Sequence, residues 1–412
     1  MTTIITVHGR TYEPAPDDLI QTPSPLVTLE GDGDTKPGKF TYRMENGKLF
    51  FLEGVARLHE GLGNTYRVTP EPVVETPTPT PTPTPAPSVS TAPKPGEFAW
   101  GANFPNASNG SGVGTVGKEY SYQSHVDFYQ SYRLGARLFR LGYRTTRIMQ
   151  SGPDDAGKTV GKWDQPLIAD AVTKIRQNIK DCLAIGPDAV AIPEMHDYGR
   201  AFGVQYGVAP FDVAWIVKFW VDLLGPELMG HPRVYIDLNN EPHLSDVWHD
   251  TVRELVPALR AAGVTNTLVL EGLDYSGARG WAGKNGAWFL DLLSRDPNLM
   301  ASPHLYADGD NSGANSTCSS NASGFADSFI AWAKENKVNA LIGEFGYSTG
   351  DSCKPHMPVL MEKFREAGIW VTAWTYSFYM PTGKYHFGLA RPSNYAVEPS
   401  NLFRSFAAEA NK

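Results

Sequence analysis

Val234-Tyr-Ile-Asp-Leu-Asn-Asn-Glu241-Pro242-His243 reads as a short buried strand that stops on a carboxyl group. Its opening residues are β-prone and apolar. Pro242 cannot donate to a sheet ladder, so the strand ends with Asn240 and Glu241 at its C-terminal tip. A second run, Ala340-Leu-Ile-Gly-Glu344-Phe-Gly346, ends the same way on Glu344.

Outward from these two stretches, residues 97–412 alternate strand and helix signals. The other strand candidates are Phe98–Phe104, Leu138–Tyr143, Ala189–His196, Thr267–Glu271, Met300–Tyr306 and Trp370–Tyr376. Helical patterns fill the gaps, among them Leu167–Leu183, Ala214–Leu224, Trp248–Ala262, Gly324–Asn336 and Met357–Ala367, with Asn401–Ala410 as a closing helix. Roughly 315 residues with this rhythm predict an α/β fold, a (β/α)8 TIM barrel. An open doubly wound sheet is the alternative, but no Gly-rich phosphate loop follows the first strand.

Ahead of the barrel lies an alternating Pro-Thr tract, Thr76 to Pro85 and on to Pro95, so residues 73–96 read as a linker. Alternating proline favours extended polyproline II, about 3.1 Å per residue. Residues 1–72 read as a small β-rich or partly disordered segment. Phe40–Met44 and Lys48–Leu52 flank Asn46-Gly47 as a plausible hairpin. An attachment role, with an anchoring partner for residues 1–72, fits this segment, and its lack of Trp weakens a sugar-binding module.

The chain has 412 residues and a formal charge of -8, which argues against nucleic acid or anionic lipid as partner. No apolar run reaches the ~20 residues that a membrane span needs. The start lacks a basic segment followed by a long apolar core, so no conventional signal peptide is visible. The three cysteines do not read as a disulfide framework. Cys182 falls in a helical pattern and reads as a buried thiol. Cys318 and Cys353 lie in polar loops and could pair if the fold brings them together. No metal-ligand spacing is visible.

The strand tips carry more than two functional groups. In chain order they hold Arg140, then Glu194, His196 and Tyr198, then Asn240 and Glu241, then His304 and Tyr306, then Glu344, then Trp374. Any one of these alone reads as core packing or an ion pair. Six of eight tips polar or aromatic on one face is hard to explain by packing, because each buried polar group needs a partner. In a barrel, C-terminal strand tips are where chemistry sits, and two facing glutamates are the minimum apparatus for cutting a glycosidic bond.

This set resembles glycoside hydrolase family 5, the cellulase family of clan A. The resemblance rests on Arg140, His196, Asn240-Glu241-Pro242, His304-Leu305-Tyr306, Glu344 and Trp374, and spans nearly all of residues 97–412. Within the family, Tyr306-Ala-Asp308-Gly-Asp310-Asn311-Ser312-Gly313 is similar to a loop of fungal endoglucanases and their bacterial relatives. Two departures are Asp197, where that branch often has Asn, and Phe345 after Glu344, where fungal members have Thr. The resemblance implies a disulfide between Cys318 and Cys353, and a glucan-contacting tryptophan, Trp281, in the loop after Glu271.

It also implies roles. Glu241 is expected as general acid/base, its carboxyl held protonated by shielding or by the second carboxylate. Glu344 is expected as nucleophile, kept ionised by Arg140 and Tyr306. Asn240 would bond the sugar 2-hydroxyl, His196, Tyr198 and His304 would hold hydroxyls or orient the glutamates, and Trp374 would form a platform. No metal or organic cofactor is expected. The implied activity is retaining endo-β-1,4-glucan hydrolysis outside a cell, with β-1,4-glucan as partner. A β-mannanase or mixed-linkage glucanase, and a surface- or virion-anchored polysaccharide-binding protein, are the alternatives.

Overall fold

The computed structural model describes residues 92–108, 113–114, 120, 122–123, 125–243, 247–348, 350–376 and 401–412, with strand backbone between residues 5 and 53. Eight parallel strand stations form the catalytic-sized region. They are β1 (Trp100–Ala107), β2 (Leu138–Tyr143), β3 (Val190–Met195), β4 (Ile236–Asp237), β5 (Leu268–Leu270), β6 (Leu299–Ala301 with His304–Leu305), β7 (Leu341–Phe345) and β8 (Trp370–Ala373). Each pairs in parallel with the next. β8 pairs back onto β1, through Val371 opposite Trp100. The sheet therefore closes on itself, as a TIM-barrel-like α/β fold.

A helix follows every station: α1 (His125–Arg133), α2 (Ala169–Leu183), α3 (Val213–Leu228), α4 (Val247–Ala261), α5 (Trp281–Leu293), α6 (Asp327–Asn336), α7 (Met357–Glu366) and α8 (Asn401–Ala410). The α2 sequence shows why it packs inward. Ala171, Ile175, Asn178, Ile179 and Cys182 are buried at helical spacing, leaving the charged face to water. Cys182 is a buried free thiol, as its helical position predicts.

Two strand expectations need correction. The fourth strand, expected over Val234–Glu241, is regular only at Ile236–Asp237, so Asn240 and Glu241 sit on the loop beyond it. The sixth is interrupted at Ser302 and Pro303, because proline cannot complete the ladder.

Strand periodicity sorts the barrel interior into two layers. Near the N-terminal strand ends, Leu138, Val190, Ile192, Tyr235, Val269, Met300, Leu341 and Trp370 form a closed apolar floor. Two residues further along the same faces stand Arg140, Glu194, Asp237 and Glu271, and His304 lies four residues beyond Met300, all buried. Room for this layer is made by glycine. A Cβ on Gly343 would lie 2.4 Å from Ser302 Oγ, and one on Gly142 would lie 2.6 Å from Glu194 Oε1.

In the N-terminal segment the described backbone is a five-stranded antiparallel sheet, from Ile5–Val7 to Lys48–Glu53. Lys36–Glu45 pairs with Lys48–Glu53, the hairpin expected around Asn46-Gly47, whose two turn residues lie outside the described residues. Most of the expected linker, including Thr76 to Pro85, also lies outside them. Among the described residues no helix is long and apolar enough to cross a membrane.

Candidate active site

Arg140 organises the layer above the apolar floor. A guanidinium has five N–H donors, and here all five are used. Nε donates to Asp237 Oδ2 at 2.9 Å. Nη1 donates to Asn103 Oδ1 at 2.8 Å and Glu344 Oε1 at 3.3 Å. Nη2 donates to Asn240 Oδ1 at 2.9 Å and Glu271 Oε1 at 2.7 Å. Glu194 Oε1 lies 3.8 Å from Nη1. One cation thus ties the tips of β1, β2, β4, β5 and β7 together.

Glu271 acts as a second junction. Besides Arg140, its Oε1 meets His304 Nε2 at 2.9 Å, and its Oε2 accepts the backbone N–H of Glu241 at 2.6 Å. That N–H holds Glu241 in the left-handed region, φ 46°, a conformation that costs a non-glycine residue roughly 1–2 kcal/mol. The strained turn brings the Glu241 carboxyl back over the barrel, where Oε1 meets His304 Nδ1 at 2.8 Å. Across from it, Tyr306 Oη donates to Glu344 Oε2 at 2.5 Å. Oxygens of Glu241 and Glu344 and a ring nitrogen of His304 all lie within 4.8 Å of one another.

His196 Nδ1 donates to Glu194 Oε1 at 2.8 Å, and its Nε2 pairs with Tyr198 Oη at 3.2 Å. The half-buried Trp374 lies nearly parallel to His196, with ring centroids 5.6 Å apart. Buried Asn240 Nδ2, Trp374 Nε1, Asp237 Oδ1 and Glu194 Oε2 have no partner among the described residues. Unsatisfied polar atoms concentrated at one barrel mouth mark a place that receives water or ligand.

Negative charge exceeds positive in this layer, and burial and the neighbouring charges shift its titratable groups. Burial pushes Glu344 up, helped by the facing Glu241 and opposed by His304 and Arg140. Burial likewise pushes Asp237 well up, against Arg140 and with Glu271. His304 pays a desolvation cost that favours its neutral form, but Glu271, Glu344 and Glu241 outweigh it and hold the imidazole well above its usual range. Glu194 is also buried, yet His196 and Arg140 bring it below the usual carboxylate range.

The cleft over these groups has two adjoining lobes that share Tyr198. One, about 560 Å³, is lined by Glu241, Glu344, Tyr306, Tyr275 and Trp374. The other, about 660 Å³, lies toward Arg144, Arg200, Phe202 and His243.

Of the expected site residues, the structure gathers Arg140, His196, Tyr198, Asn240, Glu241, His304, Tyr306, Glu344 and Trp374 at this mouth. Trp281 does not join them. It is fully buried, donates its indole N–H to Ser276 Oγ at 3.0 Å, and packs on Phe289, Phe329 and Trp332. Its place at the start of α5 turns the ring under the loop. The aromatic that faces the cleft there is Tyr275, 50 % exposed and stacked on His243 at 4.1 Å. Asn103 and Asp237 also belong to the site, beyond the residues that the strand tips point to. Their signal was a polar residue inside an otherwise apolar strand run.

Cys318 and Cys353 form a disulfide, joining the loops after β6 and β7. The Tyr306–Gly313 loop is pinned from within. Asn311 Oδ1 accepts the Tyr306 N–H at 2.9 Å, and Asp308 Oδ1 accepts that of Gly313 at 3.1 Å.

A closed parallel barrel with two carboxyls facing each other in an open cleft at its C-terminal strand ends has the arrangement of a glycoside hydrolase. Residues 100–379 match the profile of Cellulase (glycosyl hydrolase family 5), and the chain belongs to that family. Endo-beta-1,4-glucanase A of Emericella nidulans is 28% identical over 317 residues, 74% of this chain and 91% of that protein. The same fold is found in Pseudomonas stutzeri endoglucanase Cel5A, solved in complex with cellobiose, at 22% identity and TM-score 0.63 over 76% of this chain and 93% of that one. Cel5A (EG2) of Hypocrea jecorina gives 22% identity and TM-score 0.63, over 76% and 98%.

Proposed function

We propose that the protein is a retaining endo-β-1,4-glucanase that hydrolyses internal bonds of a β-glucan by double displacement. The observation that carries this reading is the approach of Glu241 and Glu344, with one oxygen of each within 4.8 Å. Retaining pairs stand about 5–5.5 Å apart, and inverting pairs about 6.5–9.5 Å, to leave room for a water.

In the first step Glu241 gives its proton to the glycosidic oxygen while a Glu344 oxygen bonds the anomeric carbon, and the leaving chain departs as an alcohol. In the second, Glu241 takes a proton from water, whose oxygen displaces Glu344 from that carbon. Tyr306 and Arg140 stabilise the Glu344 anion between turnovers. His304 has carboxylates on both ring nitrogens, so it can pass a proton toward Glu241 or hold it in place. Asn240, fixed by Arg140 through Oδ1, leaves Nδ2 as a donor for a sugar hydroxyl. Trp374 and Tyr275 offer flat faces to pyranose rings.

The Cys318–Cys353 disulfide supports action in an oxidising, extracellular setting. Residues 1–72, joined through the Pro-Thr tract, serve in this reading as an attachment segment.

Reducing-sugar release from carboxymethylcellulose and from β-mannan, with wild type beside Glu344→Gln, tests the proposal. Release from the cellulose derivative alone, lost in the variant, is expected. Preference for mannan would keep the mechanism and overturn the substrate. A folded protein that releases nothing from either would overturn the glucanase reading.

A further inference from the structure

The two lobes of the cleft differ in charge. The lobe over the glutamates carries Glu241, Asp274, Asp310 and Glu344 against Arg279. The second lobe carries Arg144 and Arg200 against Asp197. Asp197 is buried; its Oδ2 accepts the Thr145 N–H at 3.1 Å and the Tyr206 hydroxyl at 2.8 Å, and Arg144 is the cation that partly offsets its burial.

The arginines are less committed. Half-buried Arg144 donates Nε to the Ser108 carbonyl at 2.9 Å and lies over the Tyr198 ring, 5.8 Å from its centroid. Neither Nη of Arg144 has a hydrogen bond or ion pair among the described residues. Arg200 is exposed, and its guanidinium likewise has no partner among them.

Chain continuity joins this lobe to the reaction centre. Tyr198 lines both lobes and bonds His196, while His243 of the basic lobe stacks on Tyr275 of the acidic one. A polysaccharide lying across the glutamates and past Tyr198 therefore runs into a pair of open guanidinium forks. Planar forks match carboxylates in geometry and charge, whereas neutral hydroxyls need no surplus of cations.

We propose that this lobe receives a carboxylate carried on the glucan itself, as a hexuronic acid unit or an equivalent acidic substituent. The proposal rests on the glucanase reading and narrows its substrate to an acidic polysaccharide with a β-glucan backbone. Arg144 and Arg200 act as specificity residues and take no part in bond cleavage.

The test compares neutral cello-oligosaccharides with the same oligosaccharides partly oxidised at C6, so that some units are glucuronic acid. At low salt, wild type should have the lower KM on the oxidised set. The preference should vanish at about 0.5 M NaCl, where screening lengths are only a few ångströms. In Arg200→Gln, and more so in Arg144→Gln/Arg200→Gln, KM on the oxidised set should rise roughly tenfold or more relative to KM on the neutral set. The exposed Arg200 position keeps the single variant interpretable if the double variant folds poorly.

Equal handling of both sets by wild type at low salt overturns the proposal and leaves the glucanase reading intact. Cleavage of neither set overturns the glucanase reading, and calorimetry with the oxidised oligosaccharide then decides the lobe. Salt-sensitive binding weakened in Arg200→Gln upholds it, and no binding overturns it.

Discussion

Replacing Arg140 by methionine tests whether one guanidinium holds the catalytic layer together. The substitution keeps bulk and removes five donated hydrogen bonds and all charge. Asp237, Glu271 and Glu344 lose a bonded cation, and Glu194 loses one 3.8 Å away. Removing one partner of a buried ion pair costs about 3–5 kcal/mol, because the other is left charged and unsolvated. With several partners stranded, the loss at pH 7 should reach at least that range. At about 2–4 °C per kcal/mol this lowers Tm by roughly 6–20 °C.

The sign with pH follows from linkage. Without Arg140 the buried carboxyls have folded-state pKa values above their unfolded ones. Such groups destabilise the fold fully above the folded value, and progressively less as pH falls through it. The gap between wild type and Arg140→Met should therefore be widest near pH 7–8 and narrow toward pH 4. Thermal unfolding followed by near-UV circular dichroism across that range measures it. A variant within about 1 kcal/mol of wild type at pH 7, or a gap that widens in acid, would refute the reasoning.

Glu241→Gln should lower kcat by about 10²–10⁴-fold on natural glucan, and by much less on aryl glycosides whose leaving group needs no proton. Glu344→Gln should raise Tm at pH 7, since burial lifts the wild-type carboxyl and its ionised form costs stability there. That gain should shrink as pH falls through the folded value, which a pH series of melting curves reads. Tyr275→Ala should raise KM for cello-oligosaccharides by roughly 2–13-fold, on a stacking worth of about 0.5–1.5 kcal/mol, with Tm almost unchanged. Trp281→Ala should do the reverse, costing about 3–5 kcal/mol of stability by opening a cavity, as denaturant titration would show. Cys353→Ser opens a link of 35-residue separation and should cost about 2–4 kcal/mol of stability.

Much of this protein can be read from order along the chain. Strand and helix alternate because each strand must bury apolar side chains on a parallel sheet, and that demand leaves a local pattern. β2 at Leu138–Tyr143 and α8 at Asn401–Ala410 have the bounds their patterns predict. Strand tips are also local features, so Arg140, Asn240, Glu241, His304, Tyr306 and Glu344 could be picked out before any contact was known.

What the chain order could not decide was which way a side chain turns once its strand has ended. Trp281 and Tyr275 lie six residues apart, the one at the start of helix α5 and the other in the loop before it. Helix α5 takes the first into the core and a left-handed turn, φ 53°, presents the second to the cleft. Nor could it show that Asp237 and Asn103 share Arg140, since those bonds join residues 97 and 37 positions apart. The charge difference between the two lobes arises in the same way. It comes from loops after β2 and β3 meeting across Tyr198, and proximity of that kind belongs to the closed barrel rather than to any segment of it.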